Sequence, residues 1–373
     1  MWLKNIQILN FRNFSRLNLN FSPAINVFEG GNTQGKTNLI EAIYCLGCGF
    51  SFRVYEEQSL IRWKQDSFYV GGEGEKRGSF FKFELSLAKN SHKVRRVNSH
   101  PVSLRDTKHW LWMVVFSSQD MKIVQAGPFH RRGFLDEVAS FVYPDFSYLR
   151  FSFNKVLNHR NALLGQYREK RKVNEEEMGG WDAQFVKVGS EVVYLRLKVL
   201  KKLAGSLSKI YPHLKGQICH SHLVYSSSFL EAQDEGISLD RIKEKFYQKL
   251  KKMRQKEIGY GVSLIGPHRD DFYIEVDGVN QRTFGSQGEQ RIAATALKLA
   301  EVDLIKEREG EFPVILLDDV PGDLDAQRER FLLNMVKNKG QVFIATQNAE
   351  KFADDFLRES LLFKIIEGNV IKK

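Results

Sequence analysis

The sequence predicts a mixed α/β fold in which an all-helical lobe is inserted between two α/β halves. A glycine-rich loop near residue 30 separates an apolar strand from a helical pattern, and a second apolar strand near residue 315 ends in two aspartates. Between them the periodicity changes from alternating to helical. The predicted boundaries are 1–125, 126–257 and 258–373, with the first and last segments sharing one mixed sheet that carries an antiparallel subdomain.

The glycine-rich loop fits the phosphate-loop pattern G-x-x-x-x-G-K-[ST], and an apolar run (25–28) and a helical pattern (37–44) flank it as strand and helix. The two glycines let the backbone curl with its N–H groups inward around phosphates. We expect Lys36 to reach the β and γ phosphates and Thr37 to ligate Mg²⁺, while the helix N-terminus adds partial positive charge. The predicted nucleotide contacts of the loop are Gly30, Gly31, Asn32, Thr33, Gln34, Gly35, Lys36, Thr37 and Asn38.

The second apolar strand, 314–317, is followed by Asp318 and Asp319. Four consecutive apolar residues predict a buried parallel strand, and ligands bind at the C-terminal ends of such strands. We therefore expect Asp318 to hold Mg²⁺, directly or through water. Asp319 should face away from Asp318 along the strand and polarise the attacking water, so that Asp319 and Lys36 are the predicted catalytic residues.

Composition indicates a folded protein with a substantial core, since 42% of the 373 residues are hydrophobic and 12% are aromatic. The chain has no apolar run of 18 residues, and residues 1–4 enter a strand pattern directly. With three cysteines, an odd number, the sequence predicts a cytosolic protein in a reducing compartment.

The cysteines also allow a zinc site on paper. Cys45 and Cys48 are spaced as C-x-x-C, and Cys219, His220 and His222 lie far downstream. Cys45 falls on the helix after the phosphate loop, where a small inward-facing residue is ordinary. We favour that interpretation over zinc.

The positive charge is concentrated in the middle of the chain. The formal net charge is +11, and residues 131–256 hold 24 Lys and Arg against 14 Asp and Glu, a net of +10. A single charge run is usually a solvated helix face. An excess confined to one whole segment instead indicates a polyanionic partner that is held by its phosphates.

The N-terminal half should contain two strands, 6–9 and 17–21, and then an antiparallel meander over 66–104 with period-two alternation. Arg12 and Asn13 join the first two strands, and two interpretations stay open: nucleotide contacts, or a turn with one exposed arginine. An antiparallel sheet after the first helix is unusual in P-loop kinases and small GTPases. It is normal in ABC-type ATPases.

The middle segment should be helical. Residues 185–210 predict a long amphipathic helix, and residues 239–253 predict another. The second has Lys245, Lys249, Lys252 and Lys256 on the side opposite its apolar residues. The polar stretch 170–180, which contains three consecutive glutamates, is predicted to be a loop.

The C-terminal half should open with a hairpin that turns at Asp277 and Gly278. A polar turn at 285–290 leads into a helix at 291–306, and a further helix is predicted at 326–337. The last buried strand, 341–347, again ends in polar groups. Several strand ends should therefore converge near the phosphate loop.

In order and spacing, these motifs closely resemble the RecF family of DNA repair and replication proteins, relatives of the SMC and Rad50 ATPases. The resemblance runs almost from end to end and implies an ABC-type ATPase head with ATP and Mg²⁺ as cofactors. The matching segments are 30–38, 127–136, 160–164, 181–182, 266–271, 285–291 and 316–320.

The resemblance also implies a second nucleotide-binding surface. Residues 285–290 resemble the ABC signature motif, whose Ser286 and the N–H groups near Gly288 would contact the γ-phosphate held by another copy. Two copies would then face head to tail with ATP between them. Asp323 and Asp325 resemble the D-loop, and Thr346 with Gln347 occupies the switch position.

Departures from the family pattern bear on hydrolysis. Ser118-Gln119-Asp120 stands where many members carry Pro-Glu-Asp, so Gln119 is the candidate Q-loop ligand of the metal. Asp319 replaces the usual ABC glutamate, and the switch position lacks the histidine. A shorter carboxylate without histidine predicts a weak, DNA-stimulated ATPase that acts as a switch.

The family further implies ATP-dependent binding of duplex DNA and of single-stranded or gapped junctions in recombination, replication and the SOS response. RecO and RecR would be partners in loading RecA, with no membrane involved. One alternative is a transporter ATPase subunit, which predicts a neutral or acidic helical lobe with an apolar groove. Another is a small-molecule P-loop kinase, which needs a lid and no signature turn.

Overall fold

The computed structural model describes residues 1–54, 56–103, 111–170, 174–231, 236–319 and 326–373. The chain divides into two compact units, one made of 1–120 with 301–373 and the other of 121–300. The helices of the described residues are α1 (Lys36–Cys48), α2 (Met121–Gln125), α3 (Pro128–Val142), α4 (Phe146–Lys170), α5 (Glu175–Lys215), α6 (Leu239–Tyr260), α7 (Gln287–Glu309), α8 (Ala326–Lys337) and α9 (Asp354–Arg358).

The first unit begins with an antiparallel sheet in the order β3-β2-β5-β6-β7-β8, with β1 paired to β5. Its alternating burial follows the sequence pattern, since Ile6 and Ile8 are buried while Gln7 and Leu9 are exposed. The predicted meander is confirmed. The strands are β1 (Trp2–Leu3), β2 (Asn5–Phe11), β3 (Phe14–Asn20), β5 (Ser67–Lys76), β6 (Ser79–Ala88), β7 (Val94–Val97) and β8 (His100–Pro101).

A second sheet in the same unit is parallel except at one edge, and its order is β16-β15-β4-β14-β13-β9. The apolar runs predicted as buried strands form its centre. The apolar run 110–116, which is typical of a buried strand, forms β9 over 113–116, and residue 110 lies outside the described residues. The strands are β4 (Ile25–Glu29), β9 (Met113–Phe116), β13 (Val314–Asp318), β14 (Val342–Thr346), β15 (Ser360–Ile366) and β16 (Asn369–Lys372).

One hydrophobic core holds the first unit together, and α1 contributes nearly every residue from Leu39 to Cys48 to it. Apolar side chains of both sheets complete this core. Phe21 packs edge-on against Phe343, and Phe28 stacks on Phe343. The strand that precedes the phosphate loop and the helix that follows it are therefore fixed in place by burial.

The inserted lobe was predicted to be all-helical, but the second unit also contains strands. Besides α3 to α6 it contains an antiparallel sheet in the order β10-β11-β12. The strand β11 belongs to the expected hairpin, whose turn residues Asp277 and Gly278 both have positive φ. It pairs with β10 along its whole length, so 258–300 groups with this unit and the division falls at residue 300 instead of 257. The strands are β10 (Ser221–Ser226), β11 (Asp271–Val276) and β12 (Val279–Asn280).

The prediction of a loop at 170–180 is also wrong for most of the residues of that range that the structure describes. The side chain of Asn174 accepts a hydrogen bond from the Glu177 N–H and caps α5, which begins at Glu175. Three glutamates in a first helical turn are stabilised by the partial positive charge of the helix N-terminus. The run that indicated a loop is therefore a helix start.

Buried arginines with complete sets of partners characterise the second unit. Arg160 donates from Nε to Asp182 (2.9 Å), from Nη2 to Glu257 (2.6 Å) and from Nη1 to Ser263 (2.7 Å). Arg196 binds Asp136 through two hydrogen bonds of 2.7 and 2.9 Å. These pairs join α3, α4, α5 and α6 into one body.

The cysteines do not form a metal site in the described part of the chain. Cys45, Cys48 and Cys219 are buried and form no disulfide with one another. Over the same residues, no group of three or more His, Cys, Asp and Glu is close enough to hold a metal ion. Nor does any described helix have the length and apolar character needed to cross a membrane.

Candidate phosphate-binding site

The phosphate loop lies between β4 and α1 in a conformation that needs its glycines. Gly35 has φ 115, and a Cβ added at Gly30 would stand 2.6 Å from the carbonyl oxygen of Ile365. Thr33 also has a positive φ of 64. Gly31, Asn32 and Thr33 are exposed and form the open side of the loop, Gln34 is half-buried, and Gly35 is buried. The loop therefore presents its exposed backbone to solvent, where an anion can approach.

Lys36 is held inside this loop. Its side chain is buried, and Nζ donates to the carbonyl oxygens of Gly30 and Gly31, each at 2.9 Å. The N–H of Gly30 donates to the Thr346 carbonyl at 3.2 Å, which ties the start of the loop to the end of β14. A buried ammonium group that is held only by neutral carbonyls can transfer to a phosphate without breaking an ion pair.

Thr37 and Asp318 bring the two predicted half-sites together. Thr37 Oγ1 donates to Asp318 Oδ1 at 2.8 Å, although the residues are 281 positions apart. Burial raises the pKa of Asp318 to about 6; the hydrogen bond from Thr37 lowers it, and the neighbouring Asp319 raises it. The carboxylate is thus incompletely compensated in the protein as it stands.

These two groups fit a divalent metal. A hydroxyl and a carboxylate oxygen are hard ligands of the kind that Mg²⁺ prefers, and a cation would relieve the cost of the buried charge. Gln119, the third predicted ligand, lies in a 3₁₀ turn directly after β9, which is the neighbour of β13. Its side chain is exposed, and over the described residues no hydrogen bond joins it to Thr37 or Asp318.

Asp319 lies at the same strand end but not in strand conformation. β13 ends at Asp318, and Asp319 has φ 56, with its N–H donating to the Ala345 carbonyl at 3.2 Å. The prediction that it faces away from Asp318 assumed that the extended strand continues. The left-handed φ of Asp319 instead sets the direction of its side chain, and aspartate adopts this conformation more readily than most residues.

Arg12 is engaged by neighbouring groups of the protein. Nε and Nη2 bind the two carboxylate oxygens of Glu41 at 2.9 and 2.8 Å, and Nη1 donates to the Ser59 carbonyl at 2.9 Å. All three guanidinium nitrogens are therefore engaged, because the fully buried Glu41 on α1 requires a charged partner. Arg12 therefore holds α1 through Glu41 and also lines the groove beside the loop, so a nucleotide contact at Arg12 stays a prediction.

A groove of about 830 Å³ lies beside the loop. Asn38 donates to Asn13 at 2.8 Å and accepts from Arg53 at 3.0 Å, while Asn13 Nδ2 donates to the Gln34 carbonyl at 3.3 Å. Trp63 is 85% exposed, which is unusual for tryptophan. The groove offers an aromatic face and amide groups of the kind that bind a nucleoside. Its lining residues are Arg12, Asn13, Asn38, Arg53, Ser59, Ile61, Arg62, Trp63, Lys64 and Gln65.

Sequence reasoning missed Glu41, Arg53 and Trp63. One signal was available for Glu41: it lies four residues after Thr37 in the predicted helix and so faces the same side. Its pairing with Arg12 joins residues 29 positions apart and left no local signature.

The signature-like turn forms an exposed helix start. Ser286 caps α7, since its N–H and Oγ donate to Glu289 Oε2 at 2.8 and 2.9 Å and the Glu289 N–H donates back to Oγ at 3.3 Å. Ser286 and Gly288 are exposed, and no atom lies within 4 Å of where a Cβ of Gly288 would stand. The turn is therefore open to an approaching anion.

The remaining predicted positions divide into two groups. Asp323 and Asp325 lie outside the described residues. At the switch position, Thr346 is buried at the end of β14 and its Oγ1 donates to the Asn348 carbonyl at 3.2 Å, while Gln347 is exposed.

Comparison with known proteins agrees with this architecture. The family model "RecF/RecN/SMC N terminal domain" matches residues 2–361. The chain is 36% identical over 381 residues to the DNA replication and repair protein RecF of Natranaerobius thermophilus, covering 100% of this chain and 98% of that one. The RecF protein of Alkaliphilus oremlandii is 34% identical over 371 residues, with coverage of 99% and 100%.

This chain belongs to the RecF family. A solved structure described as the recombination mediator protein RecF-ATP in the RecFOR pathway matches with TM-score 0.90 and 32% identity, covering 100% of this chain and 97% of that one. The Smc head bound to the C-winged helix domain of ScpA matches with TM-score 0.58 and 13% identity, covering 100% and 98%. The second likeness shows the fold alone.

Proposed function

We propose that this protein is an ATP-dependent DNA-binding protein of recombinational repair and replication. The family, the curated names of its relatives and the match to a RecF-ATP structure support a nucleotide-dependent role in DNA metabolism. Three structural features would serve nucleotide binding: the phosphate loop, the incompletely compensated carboxylate of Asp318, and the exposed turn at Ser286.

One observation carries the nucleotide part of the proposal, the bond from Thr37 to Asp318. It joins the start of α1 to the end of β13, the arrangement that a metal-bound triphosphate requires. Phosphates would lie in the loop with Lys36, and the nucleoside would lie in the groove with Trp63. A Mg²⁺ ion held by Thr37 and Asp318 would neutralise charge on the β and γ phosphates.

A second copy would complete the site. The exposed N-terminus of α7 at Ser286 and Gly288 would take the γ-phosphate held by a partner copy in a head-to-tail dimer, in place of the Glu289 carboxylate that Ser286 binds in the free protein. Asp319 would orient the attacking water and take up its proton. Because Asp319 is shorter than glutamate, hydrolysis of ATP would be slow, and it would serve to open the dimer and release the DNA.

The DNA part of the proposal rests on charge and on the relatives. Between 131 and 256 the net charge is +10, which favours a polyanion bound by its backbone. We place the protein in the cytoplasm, where the dimer would hold gapped DNA and act with RecO and RecR in loading RecA.

Size analysis with and without ATP, and with and without a short duplex, tests this function. We expect a monomer alone, a dimer with ATP, and retention of the duplex by the dimer. Lys36→Ala should remain monomeric with ATP, because the dimer forms around the bound triphosphate. Lys89→Ala, which removes an exposed lysine of the antiparallel sheet unit, is the matched control. A dimer of Lys36→Ala that forms normally with ATP would contradict the phosphate-loop assignment.

A further inference from the structure

Helix α6 (Leu239–Tyr260) distributes its charges unevenly. In its first two turns the cations are paired within the helix: Arg241 with Glu244 at 2.5 Å and Lys243 with Asp240 at 3.1 Å. From residue 245 to residue 256 the helix contains no acidic residue. In that stretch Arg254 is engaged by Glu175 and Asp182. The remaining cations of the stretch are lysines.

Three of these lysines form a row on one face. Lys249, Lys252 and Lys256 are spaced by three and four residues and all are exposed. Within the described residues none of the three forms an ion pair with a carboxylate. Lys251, on the adjacent face, lies 4.7 Å from the ring centroid of Tyr247. We call Lys249, Lys252 and Lys256 the lysine row.

The row costs stability in the free protein. Like charges three or four residues apart destabilise a helix by about 0.2 to 0.5 kcal/mol per pair. The opposite face does not require them, because Ile242, Phe246 and Leu250 already anchor α6 in the core. A partner that neutralises these solvent-facing charges would remove this repulsion.

We propose that the lysine row of α6 binds the sugar-phosphate backbone of duplex DNA. The inference rests on the DNA-binding function proposed above and assigns it a surface. With a helical rise of about 1.5 Å per residue, the row extends for about 10 Å, which is about three phosphate steps along one strand. A straight helix matches the regular spacing of a duplex backbone.

Other partners fit this surface less well. Lysine is depleted in protein interfaces, where aromatic residues and arginine provide the anchors. Single-stranded DNA is held mainly by stacking on aromatic rings, and the row itself contains none. A membrane surface would need a free apolar face, but that of α6 is buried.

The test uses the full chain with ATP and compares two triple variants. Lys249→Gln/Lys252→Gln/Lys256→Gln removes the row. Lys89→Gln/Arg241→Gln/Lys243→Gln changes the formal charge equally, at cations that already pair with carboxylates. Binding of a labelled duplex of about three helical turns, and of the matching single strand, is measured over a series of salt concentrations.

We expect the row variant to lose at least about tenfold in duplex affinity at 0.1 M salt, and its slope of log K against log [salt] to fall by about 2 to 3. The control should stay close to the wild type. Lys249→Arg/Lys252→Arg/Lys256→Arg should keep both affinity and slope, and unchanged hydrogen exchange of the amides of α5 and α6 in every variant shows that the second unit is folded.

Two results overturn the assignment and are distinct from each other. If the wild type binds duplex DNA but the row variant matches the control, DNA binds elsewhere on the protein. If only single-strand binding falls, the duplex is the wrong partner. Failure of the wild type to bind any DNA would instead contradict the proposed function itself.

Discussion

Buried charges have opposite surroundings in the two units. In the second unit every guanidinium nitrogen of Arg160 has an oxygen partner, and Arg196 has a bidentate carboxylate. In the first unit, burial raises the pKa of Asp318, and Lys36 is held by neutral carbonyls. The contrast indicates two roles of buried charges. A charge with oxygen partners at every donor stabilises the fold, and an incompletely compensated charge is available to bind a ligand.

The distinction operates inside the first unit as well. Arg12 and Glu41 form a compensated pair close to the phosphate loop, and this pair fixes α1 in the core. Compensated and incompletely compensated charges therefore lie side by side at this site.

The largest expected effect comes from breaking a compensated charge. Arg160→Ala leaves the carboxylates of Asp182 and Glu257 buried without this partner, and we expect it to cost the second unit about 3 to 5 kcal/mol. Hydrogen exchange of amides in α4, α5 and α6 measures the loss. Lys155→Ala, at an exposed position on the same helix, should change protection little. Equal protection in both variants would show that the network is not what stabilises this unit.

Asp319→Asn tests a charge at the phosphate-binding site of the first unit. Asparagine tolerates the same left-handed backbone, so the fold should be unchanged. Without a base to take the proton of the water, we expect kcat for ATP hydrolysis to fall by about a hundredfold or more, while ATP binding persists and the dimer accumulates. Loss of ATP binding in this variant would assign Asp319 to another role.

The pH dependence of stability reports on the buried His268 of the second unit. Burial is the largest cause that lowers the pKa of His268 to about 4; the nearby Arg269, Arg132 and Arg160 contribute to the lowering, and the hydrogen bond with the Ser263 carbonyl opposes it. Between pH 6.5 and 4, His268 is therefore protonated in the unfolded chain and neutral in the folded chain. As the pH falls through this range, this difference lowers the free energy of unfolding by about 2 to 3 kcal/mol. Urea unfolding from pH 7.5 to 4.5 measures this slope.

His268→Gln is the matching variant. It keeps a donor for the Ser263 carbonyl, which Nε2 of His268 contacts at 3.1 Å, and it does not titrate. We expect a shallower acid limb for this variant. An identical slope would mean that other groups govern acid unfolding.

Asp318→Asn should give the smallest effect and the opposite sign. With a folded pKa near 6 and an ordinary value of 3.8, the folded chain binds the extra proton, so Asp318 lowers stability as pH rises through that window. We expect the variant to be about 1 to 2 kcal/mol more stable at pH 7.5 without ligand, and to lose the Mg²⁺ dependence of ATP binding. Thermal unfolding with and without Mg²⁺-ATP separates the two effects, and a destabilised variant would place Asp318 in the scaffold.

Local patterns predicted the fold well where one element decides its own structure. The apolar runs of β4, β13 and β14, the alternation of β5 and β6, and the glycine loop all depend on near neighbours in sequence. The start of α5 was mistaken because a run of glutamates is typical both of loops and of a capped first turn. Asn174 was the cue that separates them.

The candidate site was predictable only in part. Its loop and its aspartates carry local motifs, whereas the partners that define each role are distant. Arg12 was assigned from its position near the loop, and its ion pair with the distant Glu41 could not be predicted from the sequence. The direction of Asp319 depends on one backbone angle that strand periodicity cannot supply.

The bond between Thr37 and Asp318 has a consequence for how the protein is made. At a synthesis rate of about 5 to 20 residues per second, the 281 positions between them take roughly 15 to 60 s to emerge from the ribosome. During that interval β4 lacks both sheet neighbours, β14 and β15, while the meander from β5 to β8 is already translated. A nascent chain thus displays an unpaired apolar strand beside an unfinished nucleotide loop, and ATP can act as a ligand only for the completed sheet.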